Sequence, residues 1–71
     1  MSAHSTAYRR FLVQLREARL KARLTQADVA RRLRKPQSFV SKCESGERRV
    51  DVVELREFAR MYEKPLSWFL R

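Results

Sequence analysis

The stretch LTQADVARRLRKPQSFVSKCESGE, from Leu24 to Glu47, is punctuated so heavily that few folds remain open to it. Thr25 can accept a bond from the amide of Asp28 while Asp28 reaches back, the reciprocal arrangement that starts a helix. Val29, Ala30 and Leu33 follow at the spacing that puts apolar groups on one helical face, and Arg31 and Arg32 point away from it. Pro36 interrupts this pattern. It disfavours α geometry at Lys35 and lacks an amide, yet it suits the first turn of a new helix, which therefore starts near Pro36 or Gln37. In this second helix Val40, Cys43 and Glu44 share one side, while Gln37, Ser38, Ser41 and Lys42 lie on or near the other. Gly46, the only glycine in the chain, stands just past the last turn, where a left-handed C-terminal cap uses its conformational freedom. The stretch reads as two short helices in a tight connection, the second presenting polar groups outward.

The flanking sequence reads as support for this pair. Residues 1–7 are small and polar, so a disordered N-terminal tail is expected, with His4 in it. Tyr8, Arg9 and Arg10 either extend it as a basic arm or begin the first helix. Phe11, Leu12, Leu15, Ala18 and Ala22 recur at helical spacing and predict a helix over about residues 8–22. Arg19 shares the inward stripe with Leu15 and Ala22, and Glu44 is an equally anomalous charge on the inner side of the second short helix. An unpaired buried charge is costly, so the two are expected to form an ion pair. Asp51 and Glu54 repeat the capping-box spacing and open a fourth helix, with Val52, Leu55, Phe58, Ala59 and Tyr62 on its buried side. Pro65 then starts a short terminal helix with Leu66, Phe69 and Leu70 on one face and Trp68 on another. With no strand-like alternation and no repeats, the expectation is one all-α domain over residues 8–71.

Composition removes several function classes. A chain of 71 residues has one small core and a stability of only several kcal/mol, at about 0.05–0.15 kcal/mol per residue. No apolar run approaches a membrane span, and MSAHSTAYRR lacks the apolar core of a signal peptide, so a cytoplasmic location is expected. One cysteine and one histidine exclude an internal disulfide and argue against a structural zinc site. Cys43 reads as a small core residue. No catalytic residues, metal ligands, cofactor or small-molecule site stand out, since there is no phosphate-cradling glycine loop and no oriented base. The net charge of +9 is uneven: residues 1–49 hold thirteen Lys and Arg against four Asp and Glu, whereas residues 50–71 hold four of each. The excess surrounds the paired helices and fits an electrostatic footprint for phosphate.

The residues LTQ at 24–26, Val29, Ala30, Leu33, Val40, Ser41 and ESGE at 44–47 together resemble the helix-turn-helix of phage Cro and repressor proteins, the xenobiotic-response-element family. Leu15, Arg16, Ala18 and Arg19 before the motif, and Leu55, Ala59 and Leu66 after it, extend the resemblance over about Leu15–Leu70. It implies a five-helix lambda-repressor-like domain that inserts its third helix into the major groove of double-stranded DNA as a small transcriptional regulator. It also implies that Gln37, Ser38, Ser41 and Lys42 read base edges and that Gln26 with the first amides of the second helix meets a phosphate. Arg48 and Arg49 are expected to meet another phosphate, with Lys35, Arg23, Arg9 and Arg10 as weaker candidates. Phe39 has two readings, contact with a thymine methyl or packing on the preceding helix. Where the family commonly has glycine, this chain has Arg34 and Glu63; either one at positive φ would cost roughly 1 kcal/mol. One recognition helix reads few base pairs, so a weak homodimer through the terminal helix is expected, with Trp68 as a possible contact. The alternative is an antitoxin-like protein-interaction module on the same fold, which the basic charge and exposed polar helix speak against.

Overall fold

The computed structural model describes residues 4–71, and within them every regular element is helical. Four α-helices, α1 (Thr6–Lys21), α2 (Gln26–Leu33), α3 (Gln37–Ser45) and α4 (Val52–Tyr62), precede a 3-10 helix at Leu66–Leu70. The all-α class is as expected, but the fifth element is a 3-10 helix.

That difference changes which terminal residues are buried. In a helix of three residues per turn the bonds run i to i+3, as from the Trp68 amide to the Pro65 carbonyl at 3.0 Å, and the faces rotate relative to an α-helix. Phe69 alone enters the core, while Leu66 and Leu70 stay exposed, against the expectation that all three close it. Val52 is also a correction: at the first position of α4 it points outward and is 70 % exposed. The rest of the expected core assembles. Phe11, Leu15 and Ala18 of α1 pack with Val29 and Ala30 of α2, Val40 and Cys43 of α3, and Leu55, Phe58, Ala59 and Tyr62 of α4.

The first helix begins at Thr6, earlier than the periodicity of apolar residues indicated. Ser5 is its cap, the hydroxyl accepting from the Tyr8 amide at 3.1 Å. The acidic residue three positions on that marks α2 and α4 is missing here, and so is the sequence signal it would carry. Of the expected tail, residues 1–3 lie outside the described residues, and residues 4–7 carry the cap and first turn. Both expected capping boxes form, Thr25 with Asp28 and Asp51 with Glu54.

Helices α1, α2 and α4 stop alike, at a non-glycine residue in the left-handed region: Arg23 (φ 60°), Arg34 (φ 57°) and Glu63 (φ 56°). In each case the next amide turns back to a carbonyl of the last turn, Leu24 to Arg19 at 3.2 Å, Lys35 to Ala30 at 2.9 Å and Lys64 to Ala59 at 3.0 Å. These bonds offset a backbone cost of about 1 kcal/mol per residue. Arg34 and Glu63 thus take the positive φ that glycine would otherwise supply. Gly46 ends α3 at φ 85°.

Candidate nucleic-acid interface

On α3 each residue advances about 100° around the axis, so Gln37, Ser38, Ser41 and Lys42 fall within an arc of about 140°. All four are exposed, and among the described residues none of their side chains makes a hydrogen bond or ion pair. Val40 and Cys43 occupy the opposite arc and are fully buried. The tight turn at Arg34–Pro36 lets α2 and α3 pack directly on one another, which fixes the exposed arc relative to the body.

Behind this face lies the expected pair of Arg19 and Glu44. Nε and Nη2 of Arg19 donate to the two carboxylate oxygens at 2.6 and 3.1 Å, and Nη1 donates to the Leu24 carbonyl at 2.9 Å. The pair ties α1 to the end of α3 and to the segment entering α2. Gln26 adds a fourth contact, its amide donating to Glu44 at 3.1 Å, which leaves one N–H of that side chain for another acceptor. Hydrogen bonding to Glu44 raises the Arg19 guanidinium above its ordinary value and keeps it charged.

The expected phosphate contacts separate into two kinds. Arg49 is exposed, its guanidinium 4.6 Å from the centroid of the Tyr8 ring, and Lys35 is exposed with its ammonium 5.1 Å from the Phe39 centroid. Neither touches an acid among the described residues. Arg48 is different. It donates to both oxygens of Glu54 at 2.8 and 2.7 Å, donates to the Arg49 carbonyl at 2.9 Å, and lies 4.7 Å from the Phe39 centroid. Hydrogen bonds from Arg48 hold the Glu54 carboxyl below its usual range. Arg48, expected as a phosphate anchor, thus meets a carboxylate of its own chain while its side chain stays 41 % exposed. Arg9, Arg10 and Arg23 are exposed, the first two on α1 rather than on an extended arm.

Phe39 is half-buried, against the core on one side and covered by Lys35 and Arg48 on the other, so its packing role is the one the structure shows. Trp68 also has partners in its own chain: the Phe69 ring edge-on at 5.3 Å, Lys64 at 5.0 Å and Arg71 at 4.7 Å, while its carbonyl accepts from Gln14.

Sequence reasoning missed the residues that hold the loop after α3. The Tyr8 hydroxyl accepts from the Val50 amide at 3.0 Å, and the His4 ring, 4.8 Å from that of Tyr8, hydrogen-bonds the Gly46 carbonyl through Nε2. The first turn of α1 thereby braces the end of α3 and the residues that follow. The only signal was Tyr8, a large ring beside Arg9 and Arg10 that the sequence leaves open between a basic arm and the start of the first helix. Among the described residues no helix is long and apolar enough to cross a membrane, and no group of three or more His, Cys, Asp or Glu could hold a metal ion.

A basic four-helix body whose second and third helices meet in a tight turn, with a polar exposed arc on the third, is the architecture of a DNA-binding helix-turn-helix domain. A family model described as a helix-turn-helix domain matches residues 10–65, from the first half of α1 to the residue before the 3-10 helix, and the chain belongs to that family. No curated protein and no solved structure matches it.

Proposed function

We propose that the protein is a sequence-specific regulator of transcription of the Cro/repressor type, which reads double-stranded DNA by laying α3 in the major groove. The observation that carries this reading is the exposed arc of Gln37, Ser38, Ser41 and Lys42 on a helix whose opposite side is rigidly packed. Gln37 suits the N6/N7 pair of adenine, Lys42 the O6/N7 pair of guanine, and the serine hydroxyls either kind of base edge. Gln26 with the first amides of α2, together with Arg49 and Lys35, would anchor the backbone.

A repressor of this size gains discrimination from a second copy, with half-sites about 34 Å apart along the duplex. The described chain measures 29 × 26 × 20 Å between Cα extremes, so neighbouring copies would meet through a small patch only. The exposed Leu66 and Leu70 of the terminal 3-10 helix favour that end as the contact. Such a dimer is weak in solution and completed on DNA.

Selection from a random duplex library tests the reading. Wild type should yield a paired motif, and Gln37→Ala should relax one or two positions in each half-site at a cost of ~1–3 kcal/mol. Identical selections from the two proteins would remove Gln37 from base readout. An antitoxin-like module would give no selected motif at all.

A further inference from the structure

We infer that Glu54 acts as an internal substitute for a phosphate, holding Arg48 away from the duplex and so determining how strongly the protein prefers its site over other DNA. This rests on the DNA-binding reading above. Lys35 and Arg49 lie with Arg48 around α3, and among the described residues each of those two faces an aromatic ring and forms no ion pair, Lys35 acting on Glu54 only through space. Arg48 instead presents Nη1 and Nη2 to Oε1 and Oε2 of Glu54 at 2.8 and 2.7 Å, the parallel fork by which a guanidinium binds either a carboxylate or a phosphate. The carboxylate is itself fixed, because Oε1 also accepts from the Asp51 amide at 3.0 Å to close the capping box of α4. Beneath, the Phe39 ring of α3 supports the guanidinium face.

The pair is not sealed from water. The Arg48 side chain is 41 % exposed and that of Glu54 20 %, so burial does not keep Arg48 from a phosphate; the competing carboxylate does. A phosphate contact strengthens binding to every sequence alike and carries no base information. With Arg48 withheld, the affinity for arbitrary DNA falls while the arc on α3 still reads bases, and the ratio between specific and non-specific binding rises. Glu54 is then a specificity-determining residue that touches neither base nor phosphate.

A charge-removing substitution that keeps the cap separates this role from a structural one. Glutamine at position 54 retains the capping box but no longer competes for a cation. The experiment measures binding of the whole chain to a random-sequence duplex by fluorescence anisotropy between about 50 and 200 mM salt, for wild type, Glu54→Gln, Arg48→Gln and the double variant. Folding of each is checked by circular dichroism. Glu54→Gln should steepen the slope of log K against log salt by about 0.9, the release from one further phosphate. Arg48→Gln should keep the wild-type slope, and the double variant should return to it. A purely structural Glu54 would lower the melting temperature of Glu54→Gln and leave its slope unchanged, which would overturn the inference. So would a flattened slope in Arg48→Gln, and that comparison decides alone if Glu54→Gln does not fold. Wild type without salt-dependent duplex binding would overturn the DNA reading and this inference together, whereas normal wild-type binding with an unchanged slope in Glu54→Gln overturns the inference only.

Discussion

The Arg19 and Glu44 side chains are 8 % and 5 % exposed, and between them they satisfy one another, the Leu24 carbonyl and the Gln26 amide. Removing one partner leaves a buried charge with nothing to oppose it, and such losses cost about 3–5 kcal/mol. Arg19→Met should therefore reduce the unfolding free energy by that amount in a urea titration, while Arg19→Met with Glu44→Leu should recover most of it. A double variant as unstable as the single one would show that the hydrogen bonds to Leu24 and Gln26, rather than the charge, carry the stability. This pair is legible in the sequence because each charge interrupts an apolar helical stripe. The Arg48–Glu54 pair is not. Glu54 already has a role in the capping box, Arg48 sits in a basic run, and a separation of six residues across a loop follows no helical period. The Gln26 contact is hidden for another reason, since its amide reaches Glu44 only once α2 and α3 have packed.

Among the elements, α2 and α4 announce themselves at both ends of their first turns, whereas α1 has only a serine at its start. The terminal segment shows the limit of reading a period from five residues. LSWFL fits three or 3.6 residues per turn equally, and the choice decides whether Leu66 and Leu70 are core or surface. The end of α3 is set more tightly than its glycine alone indicates. Gly46 has φ 85°, and a Cβ there would stand 2.7 Å from His4 Nε2 and 2.8 Å from Leu12 Cδ1. Gly46→Ala should then destabilise by about 1–2 kcal/mol from the backbone, with more where His4 and Leu12 must shift. The check is the urea midpoint, read beside DNA affinity, because a displaced α3 terminus also moves the exposed arc proposed to read bases. Arg34 and Glu63 show the opposite case, left-handed caps that the sequence marks only by a proline two residues on.

For the molecule as a whole, titration sets the window of stability. Bonds from Arg48 and the Asp51 amide lower Glu54, and bonds with the Thr25 backbone and hydroxyl lower Asp28. A depressed carboxyl contributes above its unfolded value near pH 4, and the contribution is lost as pH falls through the folded one. Burial, aided by the charge of Glu44, raises Tyr62, which is 3 % exposed with its hydroxyl unpartnered among the described residues. A raised folded value contributes fully below the unfolded value of about 10, and that contribution is lost as pH rises beyond it. Thermal melts should accordingly show a plateau that falls away below about pH 4 and above about pH 10. Tyr62→Phe should flatten the alkaline limb at little cost at neutral pH, since it removes a buried hydroxyl without a partner. An alkaline limb unchanged in that variant would assign it elsewhere, with the buried Cys43 thiol, also raised by desolvation, as the next group to test. The contacts from Tyr8 to Val50 and from His4 to Gly46 each span 42 residues, whereas the turns between α1 and α2 and between α2 and α3 close locally. Local closures form fast and distant ones wait for the chain between them. During synthesis α2 and α3 can therefore assemble first, and the opening turn of α1, though made before them, is among the last parts to find its place.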